Sequence, residues 1–242
     1  MKLHEINMIP KIIHQTAKTA DIPDVWKKHQ KKVQELHPDW EYKLWTDEDN
    51  FEFVKKEFPE YFELFKNLPK NIMRADVIRY LIMYRIGGLY LDLDYEMLRR
   101  FDFTDHKLVL PLNRSKEAGD SFNGVGNCLF ASMPNQPFWM VVMRNLAENP
   151  PLAKNVDVVT STGPEFLSEI FFSSEENQKD IFTPQREIFH PTTPWSKRGY
   201  RKTLSLGVAH GVHHCTGTWR EVSTKRKFIA LTKNILGTIL AK

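Results

Sequence analysis

Arg74-Ala-Asp-Val-Ile-Arg-Tyr80, followed by Gly87-Gly-Leu-Tyr-Leu-Asp-Leu-Asp94, is the stretch that decides how this chain folds. Its spacing predicts a helix, a glycine that stops the helix, and a short apolar strand that ends in two carboxylates. On a strand, residues two apart point to the same face, so we expect Asp92 and Asp94 to lie side by side. Neighbouring carboxylates repel each other unless a cation lies near them, and Mg²⁺ and Mn²⁺ prefer such oxygen ligands. The stretch therefore predicts a metal site for a phosphorylated substrate at the end of a strand.

Helical and strand patterns alternate along the rest of the chain. Predicted helices cover residues 23–36, 47–58, 61–67, 71–86, 136–146 and 164–172. Predicted strands cover residues 9–13, 40–45, 89–93, 107–112, 124–131, 187–189 and 207–212. This alternation predicts an α/β fold with a mostly parallel sheet, in which ligands bind beyond the carboxyl ends of the strands.

The composition is typical of a globular protein. The chain has 242 residues, of which 41% are hydrophobic and 26% charged, enough for one domain with a sizeable core. Cys128 and Cys215 are its two cysteines, so we expect free thiols in a reducing compartment. The first ten residues lack the apolar segment of a secretory signal, and no stretch is long and apolar enough to cross a bilayer. We therefore expect a cytoplasmic protein, either soluble or peripheral at a membrane surface.

Positive charge is concentrated in the C-terminal part. Residues 197–242 contain ten Lys or Arg and one acid, so they carry +9 in a chain whose net charge is +4. Apolar residues recur at helical spacing over 225–242, which predicts a basic amphipathic helix after a domain over 1–224. A helix lying on an anionic membrane and a helix packed on the core both fit this pattern. Nucleic-acid binding is not expected, because the tail has few interleaved aromatic residues and no recognised module.

Two further segments carry side chains suited to a polar ligand. Asp76 and Arg79 lie three apart in a helix predicted to be well buried, where a charged pair needs partners such as sugar hydroxyls or phosphate oxygens. A plain surface ion pair fits the same spacing. The segment Val212-His-His-Cys-Thr-Gly-Thr-Trp219 offers an imidazole as a third metal ligand. A His/Cys zinc site with His210 would need a further ligand at a usual spacing, which the sequence does not show.

Several short motifs follow one another between residues 9 and 219. In order, they are Ile9-Pro-Lys-Ile-Ile-His-Gln-Thr16, Leu44-Trp45-Thr46-Asp47, Arg74-Ala-Asp-x-x-Arg-Tyr80, Gly87-Gly-x-Tyr-x-Asp-x-Asp94, Asn127 with Pro134-x-x-Pro137, Thr162-Gly-Pro164, and His213 with Trp219. Together they resemble the glycosyltransferases of family 32, which carry an Asp-x-Asp sugar-binding motif. The first motif and the run that ends at Pro23 look most like the mannosyltransferases that act on inositol phosphoceramide.

The resemblance implies a GT-A fold, with a Rossmann-like, mostly parallel sheet flanked by helices, and a catalytic domain over 1–224. It implies a retaining transfer that depends on Mn²⁺ or Mg²⁺, with Asp92, Asp94 and His213 as metal ligands and with Asp92, Asp94 and Arg79 as catalytic residues. The implied substrate-binding residues are Ile13, His14, Gln15, Asp76, Arg79, Asn127, Gly163 and Trp219. His213 fits the position of the metal ligand better than His214 does, because of its five-residue gap to Trp219.

The implied reaction moves mannose from GDP-mannose to a glycan or glycolipid acceptor. UDP-glucose or UDP-galactose is the near alternative as donor, and a non-catalytic nucleotide- or carbohydrate-binding module is a second class of function. Contact with a membrane through the basic tail would suit a lipid acceptor. No carboxylate stands out as a nucleophile, so we expect a front-face transfer in which the leaving phosphate accepts the proton of the acceptor.

Overall fold

A six-stranded sheet lies at the centre of the computed structural model, which describes residues 8–191 and 207–216. The strands are β1 (Ile12–Thr16), β2 (Glu41–Trp45), β3 (Gly88–Leu91), β4 (Tyr95–Met97), β5 (Leu108–Val109), β6 (Leu112–Arg114), β7 (Gly124–Val125), β8 (Leu129–Ser132), β9 (Ile181–Phe182) and β10 (Gly211–His213). The order in the central sheet is β2-β1-β3-β8-β5-β9, and β8 runs against the direction that the other five share. Two small antiparallel ladders, β4–β10 and β6–β7, lie outside it.

Helices flank this sheet and are set by local signals in the sequence. They are α1 (Asp24–Leu36), α2 (Asp47–Glu57), α3 (Pro59–Asn67), α4 (Asn71–Arg85), α5 (Pro137–Glu148), α6 (Val158–Ser161), α7 (Pro164–Phe172) and α8 (Arg186–Phe189). Thr46 begins α2 through a capping box with Asp49, in which each residue's side chain accepts from the other's backbone N–H. Gly87 ends α4 with a φ of 74°, a left-handed conformation that glycine adopts at little cost.

The central strands β3 and β8 are buried on both faces of the sheet, because their side chains alternate between two apolar clusters. Tyr90 and Phe130 point to the cluster that includes α4 and α5. Leu89, Leu91 and Leu129 point to the opposite cluster, which includes Val33 of α1. Strands covered on both faces are expected to be apolar throughout, and β3 and β8 are fully buried along their length.

Gly88 sits where β3 meets β1 and has no room for a side chain. Its φ is 100°, and a Cβ atom there would lie 2.5 Å from the carbonyl oxygen of Ile12. The pair of glycines therefore serves two purposes: the first stops α4, and the second lets β3 enter the sheet beside β1.

The predicted fold class is confirmed as α/β, with a mostly parallel central sheet flanked by helices. Several predicted boundaries were wrong. The first strand is 12–16 rather than 9–13, the strand predicted over 124–131 is two strands, and that over 207–212 is limited to 211–213. Residues 187–189, predicted as a strand, belong to the short helix α8. Tertiary pairing decides such short apolar runs, because four residues do not distinguish helical from strand periodicity.

Within the described residues, no helix combines the length and the apolar character that crossing a membrane requires. The predicted tail helix over 225–242 and the domain boundary at 224 lie outside the described residues.

Candidate metal centre

Asp92 and Asp94 lie in the tight turn between β3 and β4, not on one strand as the sequence pattern predicted. β3 ends at Leu91, and the backbone N–H of Asp92 donates to the Cys128 carbonyl (2.8 Å). The N–H of Tyr95 then donates back to the Asp92 carbonyl (3.0 Å) and closes the turn. The turn thus replaces strand alternation as the device that brings the two carboxylates together at the carboxyl end of β3.

Each oxygen of Asp92 has a different environment. Oδ1 accepts from the Tyr90 hydroxyl (2.9 Å) and lies 3.2 Å from Nη1 of Arg79. Oδ2 faces Nε2 of His213 at 3.7 Å. Burial raises the pKa of Asp92 above its ordinary value, although the charges of Arg79 and His213 oppose the shift.

Asp94 is arranged in the same way. Its Oδ2 accepts from both the backbone N–H (2.7 Å) and the hydroxyl (2.8 Å) of Thr216, whereas its Oδ1 lies 3.0 Å from Nε2 of His213. Burial opposes ionisation, but the bonds from His213 and Thr216 hold the pKa of Asp94 well below its usual range. Each carboxylate therefore has one oxygen fixed by protein donors and one oxygen turned towards His213.

His213 reaches this turn through the β4–β10 ladder, where it pairs with Tyr95. Its Nδ1 lies 3.2 Å from the Sγ atom of Cys215, so the two ring nitrogens have separate partners. Burial would lower the pKa of His213, but the Cys128 thiol, the Asp94 carboxylate and Cys215 beside the ring raise it well above its ordinary value.

Asp92, Asp94 and His213 together offer three ligand atoms within 4.8 Å of one another. Two carboxylate oxygens and one imidazole nitrogen form a donor set that suits Mn²⁺ and Mg²⁺. The residues present thus fit a divalent cation.

Asp76 and Arg79 of α4 form a buried ion pair behind this turn, each about 3% exposed. Nη2 of Arg79 lies 3.3 Å from Oδ1 of Asp76, which also accepts from the Asn127 amide (3.0 Å). The Thr162 hydroxyl donates to Oδ2 of Asp76 (2.8 Å). Protein groups therefore supply the partners that the sequence interpretation assigned to a substrate, and contact of this pair with a sugar stays a prediction.

Arg79 also connects the ion pair to the carboxylate turn. Its Nη1 donates to the Asn127 carbonyl (2.5 Å), and its guanidinium lies 4.8 Å from the centre of the Tyr90 ring. Burial raises the pKa of Asp76 to about 6, against the opposing charge of Arg79. The neighbouring carboxylates, Asp92 first among them, outweigh burial and raise the pKa of Arg79, which stays charged.

The predicted nucleotide-binding residues of β1 are all buried. Ile13 packs in the apolar cluster on the α1 side of the sheet. His14 accepts at Nδ1 from the Trp45 indole (3.0 Å) and contacts the Gly87 carbonyl through Nε2 (2.9 Å); burial lowers its pKa to about 4. The Gln15 amide donates to the Asp92 carbonyl (3.3 Å) and so links β1 to the carboxylate turn.

Of the other predicted substrate-binding residues, Asn127 contacts both Asp76 and Arg79, and Gly163 precedes α7. The N–H of Gly163 donates to the Val158 carbonyl (2.9 Å). Trp219 lies outside the described residues. The roles of these residues in substrate binding stay predictions.

Sequence reasoning missed the residues that fix the two carboxylates. Tyr90 lies two positions before Asp92, so strand alternation could have placed its ring on the same side. Thr16, which ends the motif that begins at Ile9, contacts the Tyr90 hydroxyl (3.0 Å). Thr162, Cys215 and Thr216 also lie within quoted motifs, but nothing in their spacing indicates what they contact.

The adjacent histidines 213 and 214 diverge, and the zinc site considered with His210 is not formed. His214 contacts Glu96 instead of the carboxylate turn. Nδ1 of His210 lies 2.9 Å from the Arg100 carbonyl, and His210 belongs to no group of three potential metal ligands in the described part of the chain.

Comparisons with known proteins identify relatives of this chain. The family model described as "Glycosyltransferase sugar-binding region containing DXD motif" matches residues 23–111. The chain is 42% identical over 166 residues to mannosyl phosphorylinositol ceramide synthase SUR1 of Saccharomyces cerevisiae, a match that covers 68% of this chain and 42% of that protein. It is 45% identical over 168 residues to inositol phosphoceramide mannosyltransferase 3 of Schizosaccharomyces pombe, covering 67% and 45%. The chain thus spans less than half the length of either relative.

Among solved structures, the similarity is more distant. The PaToxG glycosyltransferase superposes with a TM-score of 0.48 at 18% sequence identity, covering 69% of this chain and 70% of that one.

Proposed function

Because this chain belongs, through residues 23–111, to the glycosyltransferase family whose sugar-binding region contains a DXD motif, we propose that it transfers mannose from a nucleotide-sugar to an inositol phosphate sphingolipid. Two fungal relatives named for mannosylation of such lipids are 42% and 45% identical to it, which supports both the sugar and the acceptor. We propose GDP-mannose as the donor, with a UDP-hexose as the alternative.

One observation carries this proposal: both carboxylates of the DXD motif are fixed with one oxygen turned towards His213. Tyr90 and Arg79 hold Oδ1 of Asp92, and Thr216 holds Oδ2 of Asp94. Ligands that are already fixed lose little conformational freedom when they bind a cation, so the geometry suits the diphosphate of a nucleotide-sugar and its accompanying metal.

Asp92, Asp94 and His213 would hold Mn²⁺ or Mg²⁺. When bound, such a cation neutralises charge that develops on the leaving diphosphate. The charge of Arg79 favours the ionised form of Asp92 and orients this carboxylate from behind, and it adds to the positive potential near the leaving group. Because no carboxylate in the sequence stands out as a nucleophile, we propose a retaining, front-face transfer in which the leaving phosphate accepts the proton of the acceptor.

The proposed acceptor is a lipid, so the enzyme would work at a membrane surface. The basic segment beyond residue 224 supplies charge suited to anionic head groups, and peripheral attachment through it remains part of the proposal.

The test is a donor panel of GDP-mannose, UDP-glucose and UDP-galactose with Mn²⁺, using inositol phosphoceramide in mixed micelles as acceptor. We expect GDP release together with a lipid product heavier by one hexose, and no turnover with the UDP-sugars. Product formation with a UDP-sugar alone would contradict the proposed donor, and turnover with a soluble glycan alone would contradict the proposed acceptor.

Asp94→Asn is the matched test of the metal centre, with Asp102→Asn as its control. Like Asp94, Asp102 accepts from both the backbone N–H and the hydroxyl of one threonine, here Thr104 (3.0 and 2.6 Å). Asp102 is exposed, however, and lies outside the site. We expect Asp94→Asn to lower kcat at least about 100-fold and Asp102→Asn to leave it unchanged. Metal-dependent transfer by Asp94→Asn at the wild-type rate would refute the assignment.

A further inference from the structure

A second group of potential metal ligands lies beside the first and shares no residue with it. It consists of His29 in α1, Glu96 in β4 and His214 directly after β10. Each residue offers one ligand atom, and the three atoms lie within 4.8 Å of one another. Three separate elements of the fold therefore converge on one point.

The contacts inside this group are close. Nε2 of His214 lies 2.9 Å from Oε2 of Glu96. The rings of His29 and His214 are stacked, with centroids 5.0 Å apart and an angle of 18° between their planes. The side chains of Glu96 and His214 are 25% and 30% exposed, so an ion can reach them from solvent.

The fold explains why the group forms here. β4 and β10 pair in an antiparallel ladder, which the His214 N–H extends by donating to the Asp94 carbonyl (3.0 Å). The ladder directs His213 to the carboxylate turn and leaves His214 beside Glu96. Helix α1 packs against β4 and brings His29 to the same place.

We propose that His29, Glu96 and His214 form a second metal-binding site, specific for a borderline transition-metal dication such as Zn²⁺. Two imidazoles and one carboxylate are a donor set that Zn²⁺ prefers, whereas Mg²⁺ and Mn²⁺ favour oxygen ligands. Zn²⁺ binds such ligands at about 2.0–2.2 Å in a tetrahedron, which places the ligand atoms about 3.3 Å apart. The proposal therefore requires the half-buried side chains to rotate until their ligand atoms reach that spacing.

The two centres differ in composition and therefore in expected selectivity. The Asp92, Asp94 and His213 centre has two carboxylates and one imidazole, and the second site reverses that ratio. A zinc ion at the second site would join α1 to the segment after β10. That segment contains Thr216, which fixes Asp94, so the second ion is expected to support the first centre structurally without taking part in chemistry.

The test measures Zn²⁺ binding to the purified full chain by calorimetry after metal is stripped from it. An Asp94→Asn background removes a ligand of the first centre, so that the remaining tight binding reports the second site. In this background, we expect one equivalent of tightly bound Zn²⁺, with His29→Ala weakening the affinity at least about 100-fold. His106→Ala is the control, because His106 is also partly buried and stacked, against Phe182 with centroids 4.2 Å apart, yet lies outside the group.

Zinc binding by His29→Ala as tight as that of its parent would overturn the proposal, as would equal losses in His29→Ala and His106→Ala. Glu96→Gln, which keeps the side-chain size, tests the same site if His29→Ala does not fold, and it must also weaken Zn²⁺. Co²⁺ provides a second readout: tetrahedral coordination gives intense visible absorption that should be absent from His29→Ala. Failure of this test leaves the proposed transferase activity untouched, since that activity is measured with Mn²⁺.

Discussion

Replacement of Tyr90 by phenylalanine tests whether fixing one oxygen of Asp92 matters for metal binding. The Tyr90 hydroxyl donates to Oδ1 of Asp92 at 2.9 Å, and the ring is fully buried, so water does not take its place. Phenylalanine fills the same volume and leaves the packing of the ring intact. The change therefore removes the hydrogen bond to Asp92 and the contact of the same hydroxyl with Thr16 (3.0 Å), and no other side-chain hydrogen bond of Tyr90 in the described residues.

The expected magnitude follows from the other contacts of Oδ1. A hydrogen bond to a charged group contributes about 1.5–3 kcal/mol. Because Arg79 still holds the same oxygen at 3.2 Å, we expect the lower end of this range, about 1.5 kcal/mol. That corresponds to roughly a tenfold loss of Mn²⁺ affinity, within the range found when residues behind a metal ligand are removed.

The matched control is Tyr95→Phe. Tyr95 is equally buried, and its hydroxyl donates to the Phe189 carbonyl (2.8 Å) instead of a carboxylate of the site. Calorimetric titration of Mn²⁺ in the presence of GDP should give a tenfold weaker affinity for Tyr90→Phe and wild-type affinity for Tyr95→Phe. Equal affinities for wild type and Tyr90→Phe, or an equal loss in both variants, would refute the reasoning.

Three further predictions concern protonation and backbone strain. Because the pKa of His213 is raised, its proton must leave before the imidazole can bind a metal, so the affinity for Mn²⁺ should rise with pH. Calorimetry in buffers of different ionisation enthalpy should detect the proton released on binding, and no release would contradict this prediction. Burial raises the pKa of Asp76 to about 6, so the folded state binds more protons than the unfolded chain between pH 3.8, the ordinary pKa, and about pH 6. The free energy of unfolding, measured by chemical denaturation, should therefore fall as pH rises through this window, and Asp76→Asn should flatten that fall. Gly88→Ala should lower the free energy of unfolding by more than about 2 kcal/mol, because its Cβ would meet the Ile12 carbonyl. Gly119 also has a positive φ but has open space around it, so Gly119→Ala should cost about 1 kcal/mol, and similar losses in the two variants would argue against the steric cause.

The elements that sequence predicted well are those with strong local signals. Helix α4 has long-range periodicity and a glycine at its end, and α2 has a capping box, so neighbouring residues alone determine both. The errors fall on segments of two to five residues, such as β7, β10 and α8. Pairing with distant strands decides their state, and local sequence does not contain that information.

The candidate site was also predictable from the sequence only in part. Spacing indicated Asp92 and Asp94, and the family resemblance indicated His213. The structure brings one ligand atom of each within 4.8 Å of the others. The sequence did not indicate which oxygen of each carboxylate is available, because that depends on Tyr90 and Thr216, one of which lies more than a hundred residues away along the chain. Proximity in the fold creates these contacts, so no local pattern could reveal them.

The two basic groups around Asp92 have different roles because they differ in how readily they lose a proton. Arg79 has a raised pKa and keeps its charge at every accessible pH, so it can only anchor Oδ1 of Asp92 and never act as a ligand. His213 faces Oδ2 and can lose its proton to solvent when a dication binds the ring nitrogen. A permanent cation therefore sits on the side of Asp92 that faces the core, and an exchangeable one on the side shared with Asp94. This division explains how two half-buried carboxylates can lie next to each other and still present their free oxygens to a metal ion. Arg79 and Thr216 hold the positions of the carboxylates, and the proton on His213 is displaced when the metal binds.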